Sequence, residues 1–208
     1  MAETPRTARF KEYLATVANK TPFSRYRDII DDYTAFVSAL SRPLPTTMWI
    51  NPERTTPAEI EGSLRKDGFT PTPLEWYKGA YRFPFEQRLG KRWEFFAGLF
   101  QIQEQSAMLP AWLLSPQAGE TILDMCASPG NKTAQLGFLM QQAGALVANE
   151  LNAKRIPALQ QTCDRLGLRN VLICNLNGTN IPGSVGRFDR VLVDAPCSGQ
   201  SLVVRGKQ

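Results

Sequence analysis

Thr121-Ile122-Leu123-Asp124-Met125-Cys126-Ala127-Ser128-Pro129-Gly130-Asn131-Lys132-Thr133 runs from a short apolar segment, through small residues, into a polar stretch suited to open a helix. A strand followed by such a turn leaves backbone N–H groups free at the helix start, where a carboxylate or phosphate can be met. The turn lacks GxGxxG and the two-glycine spacing of GxxxxGK[ST], so the segment is a weak match to a dinucleotide or triphosphate loop. A tight strand-to-helix turn also forms for conformational reasons alone.

Outward from this loop, Thr121–Cys126, Ala145–Glu150, Val171–Leu176 and Arg190–Ala195 are short apolar runs of the kind that form strands buried on both faces. Helical stretches separate the first three. This alternation predicts an α/β fold with a parallel, doubly wound sheet whose ligands lie beyond the carboxyl ends of the strands. Each predicted strand is followed by polar or reactive residues. Asp124 closes the first, and Asn149-Glu150 closes the second, with Glu150 placed where an acidic side chain grips ribose hydroxyls. Asn175-Leu176-Asn177-Gly178 follows the third and sets amides near a possible adenine edge, although Asn-Gly turns are common for their backbone alone. Asp194-Ala195-Pro196-Cys197-Ser198-Gly199 follows the fourth and sets a carboxylate and a thiol three residues apart.

Upstream the pattern changes. Arg9 to Leu40 reads as two short helices broken at Pro22, with Ile29, Ile30, Tyr33, Phe36, Val37 and Leu40 as a packing face. Thr46–Ile50 reads as a strand, and Thr56-Pro57-Ala58-Glu59 opens a helix that ends near Gly68. Phe69–Phe85, rich in proline and aromatics, reads as extended loop or edge strand. We therefore expect two domains, a small helical and α+β unit over residues 1–90 and a ligand-binding domain over 91–208. Trp49, Phe69, Trp76, Tyr77, Tyr81 and Phe83 are available to stack on unpaired bases, though aromatics in so small a unit ordinarily form its core.

The 208-residue chain carries no histidine and four scattered cysteines, Cys126, Cys163, Cys174 and Cys197. Zinc sites and His-dependent hydrolases are thereby excluded, which leaves thiol, carboxylate, lysine and cofactor chemistry, with no metal expected. A net charge of +5 permits a polyanionic partner without requiring one. The first 30 residues lack a signal-peptide core and no apolar run is long enough for a membrane helix, so a cytoplasmic protein with reduced thiols is expected.

Asp-Met-Cys-Ala-Ser-Pro-Gly-Asn-Lys-Thr, Asn-Glu and Asp-Ala-Pro-Cys-Ser-Gly, in this order, resemble the Sun/Fmu-type family of RNA cytosine-5 methyltransferases. Gly98–Pro110 also resembles the segment preceding that family's cofactor loop, and the N-terminal unit resembles its RNA-binding module. The resemblance spans nearly all of residues 30 to 200. It implies a Rossmann-like, class I S-adenosyl-L-methionine (SAM) methyltransferase sheet after a small α+β RNA-binding unit, with ribosomal or transfer RNA as substrate. By position it also implies that Cys126, Ala127, Ser128, Pro129, Gly130 and Lys132 wrap the methionine part of SAM. Glu150 would hold the ribose, Asn177 the adenine, and Asp194 the target cytosine. Asn177 stands where the family usually has aspartate, and Asn131 where glycine is usual.

Carbon 5 of cytosine is a poor nucleophile until a thiolate adds to carbon 6. The resembling family uses a downstream Thr-Cys motif for that attack and the Pro-Cys cysteine, here Cys197, for product release. No Thr-Cys pair follows Cys197 before Gln208, so an incomplete sheet and a truncated enzyme are expected. Cys197 as the attacking thiol, a catalytically incomplete SAM- or RNA-binding module, and an unrelated nucleotide-binding α/β protein are the alternatives.

Overall fold

The computed structural model describes residues 23–40, 44–183 and 186–197. By internal contacts the chain divides into two units. The smaller comprises Met1–Pro45, Pro84–Glu86 and Pro196–Gln208. Its described part holds a 3-10 turn, Ser24–Tyr26, and helix α1, Tyr33–Leu40. Tyr33, Phe36, Val37 and Leu40 are half-buried as the helical spacing predicts, and Phe23 packs edge-on against Phe36 at 5.8 Å. Ile29 lies outside that face, exposed to solvent on the turn. The first predicted helix and Pro22 lie outside the described residues.

The larger unit, Thr46–Phe83 with Gln87–Ala195, contains two sheets. The first is antiparallel, in the order β2 (Thr72–Pro73), β3 (Ala80–Phe83), β1 (Thr46–Ile50), β4 (Phe100–Ile102). Helix α2, Pro57–Lys66, begins as the sequence predicts. Thr56 and Glu59 form a reciprocal capping box, with the Thr56 amide donating to Glu59 Oε2 at 2.8 Å, and Pro57 occupies the first turn. The expected edge segment near residue 80 is an inner strand, because β3 pairs with both β2 and β1. The fourth strand comes from beyond residue 90, where a three-residue apolar segment leaves too little periodicity to be read as a strand.

Strand β1 is buried on both faces, and this joins the two sheets. Met48 packs to one side with Ile60, Leu64, Tyr81, Phe83, Leu89 and Phe100. Its neighbour Trp49 points oppositely, as alternate strand residues must, into Leu74, Met108, Ala134, Phe138 and Leu166. The Trp49 indole donates to Gln103 Oε1 at 2.8 Å, which satisfies its one buried donor.

The second sheet is wholly parallel, in the order β7 (Val171–Cys174), β6 (Ala145–Asn149), β5 (Thr121–Asp124), β8 (Arg190–Leu192). All four predicted strands are present, ending at Asp124, Asn149, Cys174 and Leu192, short of the predicted ends at Cys126, Glu150, Leu176 and Ala195. Helices α4 (Gln105–Leu114), α5 (Asn131–Leu139) and α6 (Ile156–Leu166) accompany it; α3 is the single turn Trp93–Phe96. Order β7-β6-β5-β8 places the reversal of strand direction in sequence between β6 and β8, directly over the β5–α5 loop, which is where doubly wound sheets bind ligands.

Candidate functional site

Beyond the carboxyl end of β5 the backbone turns tightly. The Ala127 amide donates to Asn149 O at 2.8 Å and the Gly130 amide to Ala127 O at 2.7 Å. Gly130 has φ of +100°, and a Cβ there would stand 3.1 Å from both Leu159 Cδ1 and Thr162 Cβ, so the residue must be glycine for conformational and packing reasons together. No side chain caps α5, which leaves its first-turn amides available to an anion. Ser128 is held against α6's approach by a reciprocal pair: its hydroxyl donates to Arg155 O at 2.9 Å and the Arg155 guanidinium donates to Ser128 O at 2.7 Å.

Asp124 is buried at the strand end, where Thr133 Oγ1 donates to its Oδ2 at 2.7 Å. Burial pushes its carboxyl up to about 6, against the opposing effects of that hydroxyl and of the Lys132 charge. Lys132 Nζ donates to Asp194 Oδ2 at 2.6 Å, linking the loop after β5 to the residues after β8. Gln103, Ala107, Cys126, Ala127, Ser128, Pro129, Asn131, Lys132 and Asp194 line a cleft of about 70 Å³ at this point. Burial, and then the carboxylates of Asp124, Glu150 and Asp194, push the Cys126 thiol up, so it is held as a neutral wall rather than a nucleophile.

Glu150 directly follows β6 and is 5% exposed. Its Oε1 accepts from the Asn152 amide at 2.9 Å. Its Oε2 is buried with no hydrogen-bond donor, although Arg155 Nη1 stands 3.3 Å away as an ion-pair partner in poor hydrogen-bonding geometry. A buried carboxylate oxygen without a donor is costly, and a ligand hydroxyl would relieve it. Asn149 acts as the clamp beneath: its Nδ2 donates to Met125 O and Leu176 O, and its Oδ1 accepts from the Leu176 amide. Asn177 is exposed, and its Oδ1 is already engaged by the amide and hydroxyl of Thr179, which leaves the Nδ2 group for any ligand.

Of the sequence-predicted residues, Cys126, Ala127, Ser128, Pro129, Lys132 and Asp194 line one cleft. Gly130 and Glu150 flank its loop without lining it. Cys197 is exposed; Ser198 and Gly199 lie outside the described residues. A larger cavity of about 320 Å³ lies among Trp49, Tyr77 and Phe138, toward the far end of α5, but Lys78 is its single charged wall residue. Lacking convergent polar groups, it is the poorer candidate for chemistry. Among the described residues no three His, Cys, Asp or Glu side chains group to hold a metal ion.

Residues 111–208 match the family model described as 16S rRNA methyltransferase RsmB/F. Over 84% of its length the chain is 36% identical to the human 28S rRNA (cytosine(4447)-C(5))-methyltransferase, of which it covers 22%. It is also 36% identical over 81% of its length to the ribosomal RNA small subunit methyltransferase F of Vibrio cholerae, covering 37% of that protein. The chain is thus similar, over most of its length, to ribosomal RNA cytosine-5 methyltransferases, in keeping with the resemblance that its motifs carry. The same architecture occurs in a methyltransferase homologue from Pyrococcus horikoshii, with a TM-score of 0.72 and 28% identity over 95% of this chain and 65% of that one. Its sheet is thus the Rossmann-like methyltransferase sheet that the motifs imply. The chain spans between about a fifth and about two fifths of the length of the curated relatives it matches.

Within the family's site, sequence reasoning missed Thr133, Asn149, Arg155 and Gln103 as supporting residues. Thr133 and Asn149 stood inside the quoted motifs but carried no role, since a hydroxyl or amide that grips backbone or a strand-end acid leaves no spacing signal. Arg155 and Gln103 come from elements that meet the loop only in three dimensions.

Proposed function

We propose that this chain carries the cofactor-binding and Pro-Cys parts of an enzyme that methylates carbon 5 of cytosine in ribosomal RNA, with SAM as methyl donor. The observation that carries the reading is the buried, donorless Oε2 of Glu150 beside an uncapped α5 and the Lys132–Asp194 pair. Those three features suit, in turn, a ribose hydroxyl, an amino-acid carboxylate and a target base. When bound, SAM supplies an electrophilic methyl group.

The chain's own residues then have separable tasks. The backbone of Cys126–Pro129 and the first-turn amides of α5 cradle the methionine end, and Glu150 orients the ribose. Asn177 offers only Nδ2 to the adenine, because its oxygen is engaged by Thr179. Lys132 donates to Asp194 and fixes the position of its carboxylate, and a carboxylate acceptor matches the exocyclic amino group of cytosine. Cys197, exposed and three residues beyond Asp194, is the thiol for product release.

Residues 1–90, completed by β4, form the RNA-facing side in this reading, and residues 91–208 the cofactor side. Among the described residues no helix is long and apolar enough to cross a membrane. The test is methyl transfer from labelled SAM to unmodified ribosomal RNA, followed by nucleoside analysis, alongside calorimetry of SAM binding. Label in 5-methylcytosine supports the proposal. Absence of SAM binding would sink it.

A further inference from the structure

The six aromatics that the sequence offered for base stacking are poorly placed for it. Trp49, Tyr81 and Phe83 are at most 3% exposed, and Phe69, Trp76 and Tyr77 are partly buried in the packing. Trp93 and Phe96 are instead each 65% exposed, on one side of the single-turn helix α3. Residues three apart on a helix share a face, so both side chains are presented to solvent from the same side of the turn.

This turn is firmly held from beneath. Between the exposed rings, Glu94 is fully buried; its carboxylate accepts from Ser63 Oγ at 2.7 Å and Arg92 Nε at 2.9 Å. Phe95 lies under the Arg165 guanidinium at 4.2 Å and packs on Phe100 at 6.0 Å. Phe95 also meets the Phe96 ring edge-on at 5.6 Å, so the anchor fixes the outward pair while leaving most of its surface open, and a ligand would meet it already ordered.

Just before the pair, Arg88 and Lys91 are exposed, and neither makes an ion pair among the described residues. Of the nearby acids, Glu94 is held by Arg92 and Ser63 and Asp67 by Arg92 at 2.7 Å, while Glu86 is exposed two residues before Arg88. Exposed rings with uncompensated cations suit a single-stranded polyanion whose bases have π-faces, more than they suit an apolar protein surface. Phe96 stands seven residues before cleft-lining Gln103, so the two are at most about 25 Å apart, within reach of one short RNA strand.

We infer that Trp93 and Phe96 form a stacking platform for unpaired bases of the RNA substrate, with Arg88 and Lys91 neutralising phosphates of the same strand. The inference rests on the RNA-directed reading above and adds where the strand is gripped. Its test is equilibrium binding of a fluorescent oligocytidine of about a dozen nucleotides to the full chain. Trp93→Ala and Phe96→Ala should each weaken binding about tenfold, with SAM binding by calorimetry unchanged. Trp93→Phe should retain affinity yet lose most of the RNA-induced quenching of tryptophan emission. Arg88→Gln and Lys91→Gln should each lower the salt dependence of log Kd by about 0.7. Wild-type binding with unaltered affinity in both alanine variants would overturn the platform and leave the RNA reading standing. A wild-type chain that binds SAM but no RNA would overturn both.

Discussion

Lys132 and Asp194 meet at 2.6 Å although 62 residues separate them, and their contact ties the cofactor loop to the end of β8. Asp194 is half exposed, so the pair contributes at most about 1 kcal/mol to stability. Its value lies in holding the Asp194 carboxylate in place at the cleft. Lys132→Met should therefore shift the melting temperature by only about 2 °C, while methyl transfer falls by about two orders of magnitude, as is typical when a charge-stabilising donor is removed. A large loss of stability with activity retained would make the pair merely structural.

Glu150→Gln separates ligand binding from folding. The substitution removes charge from a buried site whose Oε2 has no hydrogen-bond donor, so the ligand-free protein should keep its stability within about 1 kcal/mol. Affinity for SAM should fall about tenfold to a hundredfold, the range for hydrogen bonds to charged groups. Calorimetry with parallel urea denaturation checks both halves.

Asp124 makes stability depend on pH in an uncommon direction for a carboxylate. Burial raises it from an ordinary value of 3.8 to about 6, so between those values the folded chain holds a proton that the unfolded chain has released. Stability should then fall as pH rises from about 4 to about 6, by about 3 kcal/mol at most, and level off above. Asp124→Asn should flatten this part of the profile. Urea denaturation across that range is the measurement, and an unchanged slope in the variant would exclude Asp124 as its source.

Gly98→Ala tests the joint between the antiparallel sheet and α6. Gly98 has φ of +70°, and a Cβ would lie 2.1 Å from Arg165 O and 2.4 Å from Arg54 Nη1. Arg165 O is also the acceptor for Arg54 Nη1 at 2.6 Å, and Asn51 Nδ2 bridges Gly98 O and Leu166 O, so the backbone has little room to retreat. A loss of about 3 kcal/mol or more is expected, read from the midpoint of chemical denaturation.

The cysteines should label in an order set by burial. Cys197 is exposed and should react first with a maleimide at neutral pH. Cys126, its thiol pushed up by burial and by neighbouring carboxylates, should react slowly. Cys163, buried and pushed up to about 12, should stay unlabelled until the chain unfolds. Mass spectrometry of timed samples reads the order directly.

The sequence by itself determined the parallel sheet, the start of α2 and the tight turn after β5, because each is written in near neighbours: apolar runs with small-residue turns, Thr56-Pro57-Ala58-Glu59, and Asp124 through Thr133 in one stretch. It also marked Glu150 and Asp194, since strand ends in such a sheet converge on one edge. Only the tertiary structure decided that β4 completes the first sheet, that Asn149 clamps two loops, that Asn177 spends its oxygen on Thr179, and that Trp93 and Phe96 are the aromatics facing solvent. The physical reason is the same in each case. Burial and hydrogen-bond partnership depend on which surfaces meet across tens of residues, and a side chain's type states what it can bond, not whether another part of the chain has reached it first.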